Sequence, residues 1–243
     1  MYNKRLDGRK TDQLRPIEAK VGVIKQADGS ASFKIGKTWA LAAVYGPREL
    51  HPKFLQNPTT GILRCNYNMM PFSGMGDRVR PGSNRRAKEL SMVTQKALSP
   101  VLDLRRYPNS VVDVFIELPQ TDAGSRCAGI CAASMALADA GIEMKDLVCA
   151  VAAGHVDNSI VIDLTYEEEH YPEYAKDKVE NEEVADIAVA VLPSSGEITL
   201  LQMDGPISKQ KLNQALELTK KSAKEIFEIQ KRALKEKYKG ESE

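Results

Sequence analysis

The sequence predicts an α+β protein made of a duplicated β-and-α unit. Two observations carry that reading. Apolar runs with strand-like alternation come in hairpin-sized groups punctuated by Gly, Pro and Asp, and each group is followed by a segment with helical spacing, once in each half of the 243-residue chain.

The elements follow in order. Residues 19–24, the turn Asp28-Gly29, residues 31–35, the turn Gly36-Lys37 and residues 38–45 read as strands joined by hairpins. Residues 47–61 read as a loop, 62–72 as another strand, and 73–84 as a Gly/Pro/Arg segment too polar for a core. Leu90, Val93, Ala97 and Val101 predict a helix over 85–102 that opens with Arg85 and Arg86. In 110–118, Val112, Val114, Ile116 and Leu118 share one face while Asp113 and Glu117 take the other, which is a strand. The small-residue run 126–140 predicts a helix that admits close neighbours, with Gly141 at its C′ position. Residues 148–154 with 160–164, and 185–192 with 198–203, read as two further hairpins. Ser208 caps a long helix striped by Leu212, Ala215, Leu216, Ala223, Ile226, Phe227 and Leu234. Gln230 interrupts that stripe, so burial is expected to thin out there, and residues 235–243 are expected to fray as a charged tail.

Composition narrows the function classes. With 42% hydrophobic and 28% charged residues, and 34 Lys plus Arg against 33 Asp plus Glu, the chain is an ordinary globular one with a formal charge of +1. At this length folding buries roughly 70% of the unfolded surface, enough for a core without disulfide or metal staples. The charged N-terminus lacks the apolar run of a secretory signal, and no stretch approaches the ~18 apolar residues of a membrane span. The expectation is a cytoplasmic protein without membrane contact. Cys65, Cys127, Cys131 and Cys149 lie in apolar surroundings, as buried thiols of a reducing compartment do. Cys127 and Cys131 share a helix face, but no second Cys or His pair has matching spacing for a metal.

The near-zero net charge conceals segregation. From Arg64 to Lys88 six basic residues accompany the single acid Asp77, whereas from Glu167 to Asp186 nine acids accompany two lysines. A neutral protein patterned this way can still grip a polyanion, although a solvated surface is an equally simple account. Within 113–126 a strand, a glycine-bearing turn and a helix start would present free N–H groups and a positive dipole end to an anion. Gly124 permits close approach, Ser125 can donate a hydrogen bond and Arg126 can fork onto phosphate oxygens. Taken alone, the same residues read more simply as an ordinary cap by Asp122 followed by an exposed arginine. Gly36-Lys37-Thr38 lacks the earlier glycine and following helix of a nucleotide loop. Arg85 and Arg86 stand where the helix dipole disfavours cations, a placement that an anion at the same spot would relieve. Asp186 enters an apolar strand, and burial there would raise its pKa toward proton transfer; an edge-strand aspartate is the simpler reading.

Further residues complete a pattern. Leu6-Asp7-Gly8-Arg9, Leu14-Arg15-Pro16-Ile17, Val44-Tyr45-Gly46-Pro47-Arg48, Asn84-Arg85-Arg86, Asp122-Ala123-Gly124-Ser125-Arg126, Ala138-Asp139-Ala140-Gly141-Ile142 and Leu201-Gln202-Met203-Asp204-Gly205 occur in this order. Taken together they resemble the RNase PH family, in the branch that supplies the catalytic subunit of archaeal exosome rings. The resemblance covers nearly the whole chain. It implies an RNase PH-like fold with two mixed sheets and packed helices, as a single domain over 1–243 with approximate halves 1–145 and 146–238.

The activity implied is phosphate-dependent 3′→5′ exoribonucleolysis, in which inorganic phosphate, the co-substrate, releases nucleoside diphosphates from RNA. The family pattern places phosphate at Gly124, Ser125 and Arg126, RNA at Arg85 and Arg86, and, through His51-Pro52-Lys53, a loop residue Lys53 at the RNA entrance. Both reacting groups are anionic, so clustered arginines and backbone donors must offset their repulsion. The implied partners are RNA, a related RNase PH-like subunit completing a hetero-hexameric ring, and RNA-binding cap subunits. A probe of the acids exposes a departure. The family carries two acids about six residues apart. The second matches Asp186, which could also hold the Mg²⁺ the reaction calls for. The first falls on Glu169, or on Asp177 or Glu180, according to where the apparent insertion within 167–183 is placed. A glutamate there displaces the carboxylate, and a shift near 1 Å can cost ~100-fold in rate. Two alternatives stay open: a ring subunit that binds RNA without catalysis, and a homo-hexameric enzyme that trims tRNA 3′ ends.

Overall fold

The computed structural model describes residues 5–75, 79–80, 82, 84–156, 159–171 and 184–239. Two sheets carry the fold. The first has the order β1-β2-β3-β5-β4 and the second the order β7-β6-β8-β9.

In the first sheet β1 (Ile17–Val21), β2 (Gly29–Ile35) and β3 (Thr38–Glu49) form an antiparallel meander. β4 (Ile62–Met69) lies at the edge, parallel to β5 (Ser110–Gln120), so this sheet is mixed. The second sheet, β6 (Cys149–Val156), β7 (Ser159–Ile162), β8 (Ala185–Val191) and β9 (Ile198–Asp204), is antiparallel at every described pairing rather than mixed. The β4-to-β5 connection explains the difference. There a helix, α1 (Arg85–Leu98), carries the chain back so that the neighbouring strands β4 and β5 run in the same direction.

Several boundaries differ from the pattern-based expectation, each for a local reason. β1 starts and stops earlier because Gly22 turns the chain at φ +68°. β3 continues past Tyr45 through Pro47, which a strand tolerates here because the register shifts between Tyr45 and Arg48, leaving a bulge. α1 ends at Leu98, and Ser99–Val101, with Pro100 inside it, tightens into a 3₁₀ turn instead of extending the helix to residue 102. Asn84 caps α1, its side chain accepting the Ala87 N–H at 2.8 Å.

The α2 helix (Ser125–Asp139) is the centre of the molecule. All its residues except Arg126 and Ala138 are buried, and it packs against β2 and β3 on one side and β6 on the other. A helix apolar on every face must sit between layers. Its small side chains let both sheets close on it: a Cβ on Gly29 would lie 2.2 Å from the Ala140 amide nitrogen, and one on Gly129 would lie 3.2 Å from the Tyr67 ring.

The last helix, α4 (Lys209–Lys239), follows a four-residue α3 (Tyr166–Glu169) in chain order and covers β6, β1 and β7. Burial does not thin at Gln230. That residue is fully buried, its amide donating to the Cys131 and Val148 carbonyls at 3.4 Å each while its oxygen accepts from the Cys149 thiol at 3.2 Å. A polar residue in an apolar stripe thus marks a hydrogen-bonded core position. The charged tail also departs from expectation up to residue 239. It stays helical, with Lys237 Nζ 2.7 Å from the Asp139 carboxylate at the C-terminus of α2; residues 240–243 lie outside the described set. No described helix is long and apolar enough to cross a membrane.

The close approach of β2 to α2 yields a direct expectation. Gly29→Ala forces the backbones apart and should lower stability by about 1–3 kcal/mol, the usual overpacking cost, read as an earlier urea midpoint. An unchanged midpoint would contradict this packing.

Candidate active site

β5 ends at Gln120, and the chain turns sharply into α2. Ala123 and Gly124 both adopt left-handed backbone, at φ +57° and +60°. Gly124 takes that conformation at little cost; Ala123 does not, so surrounding contacts must hold it. Thr38 does so from the first position of β3: its hydroxyl bonds the Asp122 carbonyl and amide, each at 2.9 Å, and the Ala123 carbonyl at 2.7 Å.

Gly124 at the N-cap has no side chain to cap α2, so no cap residue takes up the N–H groups of the first turn. The capping role open to Asp122 is overturned. Its Oδ1 accepts the Tyr166 N–H at 3.0 Å and its Oδ2 faces Arg15 Nη1 at 3.5 Å. The carboxylate therefore ties the turn to α3.

A second tie runs through buried arginines of the N-terminal arm. Arg15 forks onto Asp163, Nε to Oδ2 at 2.9 Å and Nη2 to Oδ1 at 2.7 Å, and donates to the Asp122 carbonyl at 2.5 Å. Arg5 forks onto Glu168 at 2.8 and 2.6 Å and also reaches the Ile162 and Asp163 carbonyls. Asp163 itself turns at φ +57° between β7 and α3. The phosphate-type turn from one half and the acid-bearing helix from the other are thus bolted to the same guanidinium.

These constraints form a cavity of about 300 Å³ lined by Arg86, Gly124, Ser125, Arg126, Glu169 and Asp186, with Ala152 and Ala188 as small walls. Asp186 arrives from the start of β8, opposite Gly154 and Asp204 in register. Glu169 arrives from the end of α3. Arg126 Nη2 lies 3.5 Å from Asp186 Oδ2, and its Nη1 donates to Gln202 Oε1 on β9 at 3.1 Å. Burial, then the neighbouring Asp186 charge, pushes the Glu169 carboxyl up to about 7, against the pull of Arg126, His170 and the Gly124 N–H. Asp186 is likewise raised above the usual carboxylate range, chiefly by burial and further by Asp204, while Arg126 and Arg86 oppose the shift. An open helix N-terminus, two arginines and two carboxyls with raised pKa values can hold an anion and move a proton beside it.

Of the residues singled out in the sequence, the cavity gathers Gly124, Ser125, Arg126, Arg86, Glu169 and Asp186. It does not gather Arg85, which is exposed at the helix start, nor Lys53, whose side chain is 76% exposed on a 3₁₀ turn 3.7 Å from Glu49. Asp177 and Glu180 lie outside the described residues. Three contributors carried no assigned role: Gln202, the Arg15–Asp163–Asp122 tie, and the Tyr166–His170 stack at 4.2 Å. Gln202 and Arg15 sit inside the segments Leu201–Gly205 and Leu14–Ile17 that mark the family, so a signal was present without an indication of its purpose.

Comparison with known proteins places the chain in a family. The model of the 3′ exoribonuclease family, domain 1, matches residues 13–143, and that of the same family's domain 2 matches residues 146–222. This chain belongs to that family, the RNase PH family. Among its relatives are the exosome complex component Rrp41 of Thermococcus kodakarensis, 54% identical over 97% of this chain and 90% of that one, and its counterpart in Methanopyrus kandleri, 49% identical over 98% and 94%. The fold also matches rice Rrp46, with a TM-score of 0.80 at 23% identity over 95% of this chain and all of that one. It matches a chain of the Archaeoglobus fulgidus exosome with RNA bound to the active site as well, with a TM-score of 0.74 at 23% identity over 93% and 92%.

The arginine tie generates its own test. Asp163→Ala leaves Arg15 buried without its carboxylate, and a broken buried pair of this kind costs about 3–5 kcal/mol, which thermal unfolding should register as a large drop in Tm.

Proposed function

We propose that this chain is the phosphorolytic subunit of an exosome-type ring, shortening RNA from its 3′ end. The observation that carries the reading is the single cavity in which an uncapped helix N-terminus, Arg126, Arg86 and two carboxyls with raised pKa values face one another. In this reading inorganic phosphate sits on the Gly124, Ser125 and Arg126 groups, where backbone donors and the guanidinium offset its charge. Arg86, with the exposed Arg85 beside it, holds the RNA backbone, and Lys53 guides the strand farther out.

The chemistry is a displacement at phosphorus. An oxygen of inorganic phosphate bonds to the terminal phosphorus, the bond from that phosphorus to the 3′ oxygen of the preceding nucleotide breaks, and a nucleoside diphosphate leaves. The shortened RNA's 3′ oxygen takes up a proton, which Asp186, with its raised pKa, is suited to supply when it does not ligate a metal ion. Glu169 fills the first acidic position. Its presence in the same cavity as Asp186 supports this.

Mg²⁺ fits these residues. Asp186 Oδ1 is buried with no hydrogen-bond partner among the described residues, and Glu169 offers a second carboxylate in the cavity. Two carboxylates completed by substrate phosphate oxygens are a usual Mg²⁺ donor set. No group of three His, Cys, Asp or Glu is arranged for a metal among the described residues; Asp186 and Glu169 would hold the ion together with oxygens of the substrate. When bound, the ion neutralises charge on the leaving oxygens.

RNA, a related RNase PH-like subunit and RNA-binding cap subunits are the partners this reading calls for. The names of the Rrp41 relatives, exosome complex components, support it. The chain works as one RNase PH-like unit, since α2 is shared by both sheets. Its four free, buried cysteines suit the reducing cytoplasm.

Two experiments test the assignment on RNA with a 3′ tail, using the chain assembled with its ring partner. Arg126→Ala should abolish phosphate-dependent release of nucleoside diphosphates while RNA binding persists; wild-type activity in this variant would remove the phosphate site from Arg126. Arg85→Ala/Arg86→Ala should weaken RNA binding and flatten its salt dependence, with a log–log slope shallower by ~1–2 as one or two phosphate contacts are lost. A slope equal to that of the wild type would place the RNA elsewhere.

A further inference from the structure

The guanidinium of Arg126 needs to be aimed without being neutralised. It stands at the positive end of α2, where the helix dipole repels it, and it lies partly exposed, so nothing in its own helix fixes its direction. Two groups from the second sheet meet it: Asp186 Oδ2 at 3.5 Å from Nη2, beyond ordinary hydrogen-bond length, and Gln202 Oε1 accepting from Nη1 at 3.1 Å. Gln202 pairs with Ala188 across β8 and β9, and Asp204 pairs with Asp186, so the four residues stand on one face of the sheet. Ala188 lines the cavity and is too small to obstruct the reach of Gln202 to Arg126.

The identity of the acceptor matters. Arginine offers only donors, so the amide must turn its oxygen toward Nη1. A carboxylate in the same place would make a stronger bond but would bring a second negative charge to the only arginine of the α2 tip, beside the one Asp186 already supplies. An arginine shared between two carboxylates has little net field left for an incoming anion.

We infer that Gln202 is a positioning residue that orients Arg126 through a neutral acceptor and so preserves its charge for inorganic phosphate. This rests on the proposed phosphorolytic reading and deepens it, because it names the residue that tunes phosphate affinity. The edge-strand position of Gln202 makes substitution mild for the fold.

The test compares wild type, Gln202→Glu, Gln202→Met and Arg126→Ala, each as the full chain assembled with its ring partner. Steady-state phosphorolysis is followed against phosphate concentration, and inorganic phosphate is titrated directly by calorimetry. Gln202→Glu should raise both KM and Kd for phosphate by ~10-fold or more while kcat stays within ~3-fold, the signature of lost ground-state binding. Gln202→Met, which keeps length but loses the acceptor, should raise them ~3-fold, the weaker effect expected when one neutral hydrogen bond is removed. RNA affinity and Tm should stay at wild-type values in both. A phosphate Kd equal to wild type in Gln202→Glu overturns the inference, and so does a Tm loss in Gln202→Met with unchanged phosphate KM, which would make the residue merely structural. If Arg126→Ala keeps full phosphate dependence, the underlying reading fails instead; if Arg126→Ala is inactive while Gln202→Glu is normal, only the role of Gln202 falls.

Discussion

The burial of α2 between two sheets is the constraint on which the rest of the molecule depends. A helix with both flanks covered must be built from Ala, Gly, Cys and Ser wherever a sheet comes close, and the sheets must supply glycine at the points of contact, as Gly29 does against Ala136 and Ala140. Such packing leaves the helix no freedom to slide. Its N-terminus therefore emerges at a defined place, the seam where the loops of the two sheets meet. A wedge that merely filled the core would need no particular end; this one ends in two left-handed residues and an uncapped turn of N–H groups.

Around that end the charges are arranged in two tiers. The inner tier is closed. Arg5 with Glu168, and Arg15 with Asp163, are buried and mutually satisfied, and their geometry holds α3 against the turn that starts α2. Buried pairs of this kind add little net stability over apolar packing, yet they fix relative position because each guanidinium fork admits one arrangement. The outer tier is open. Arg126, Arg86, Glu169 and Asp186 share a cavity with carboxyl pKa values shifted upward and one buried carboxylate oxygen without a partner among the described residues. Rigid support beneath and unfulfilled charge above is the arrangement a site needs if electrostatics are to act on a bound anion rather than on the protein itself.

Glu169 and Asp186 show how separate elements bring two carboxyls into one cavity. Glu169 and Asp186 are separated by a segment longer than the family pattern, much of it outside the described residues. The cavity nevertheless contains both, because Glu169 is held by α3 and the Asp122–Tyr166 bond while Asp186 is held by the β8 register. Each acid is positioned by its own element.

What the amino-acid order by itself determined was the set of elements and their faces: the alternation through Val112, Val114, Ile116 and Leu118, the small-residue helix, the two later hairpins and the capped last helix are local periodicities, and local periodicity is legible without a partner. Motif order pointed to the family, and the resemblance suggested roles for Gly124, Ser125, Arg126 and Arg86. What only the folded molecule decided was relational. Gln230 is a core residue because two carbonyls and a thiol surround it, the charged end of α4 is held because Asp139 lies beneath it, Glu169 is the acid that shares the cavity with Asp186, and Gln202 matters because Arg126 lies across from it. Each depends on distances between residues far apart along the chain, and those distances are set by how the two sheets close on one helix, a packing outcome that no single stretch of sequence encodes.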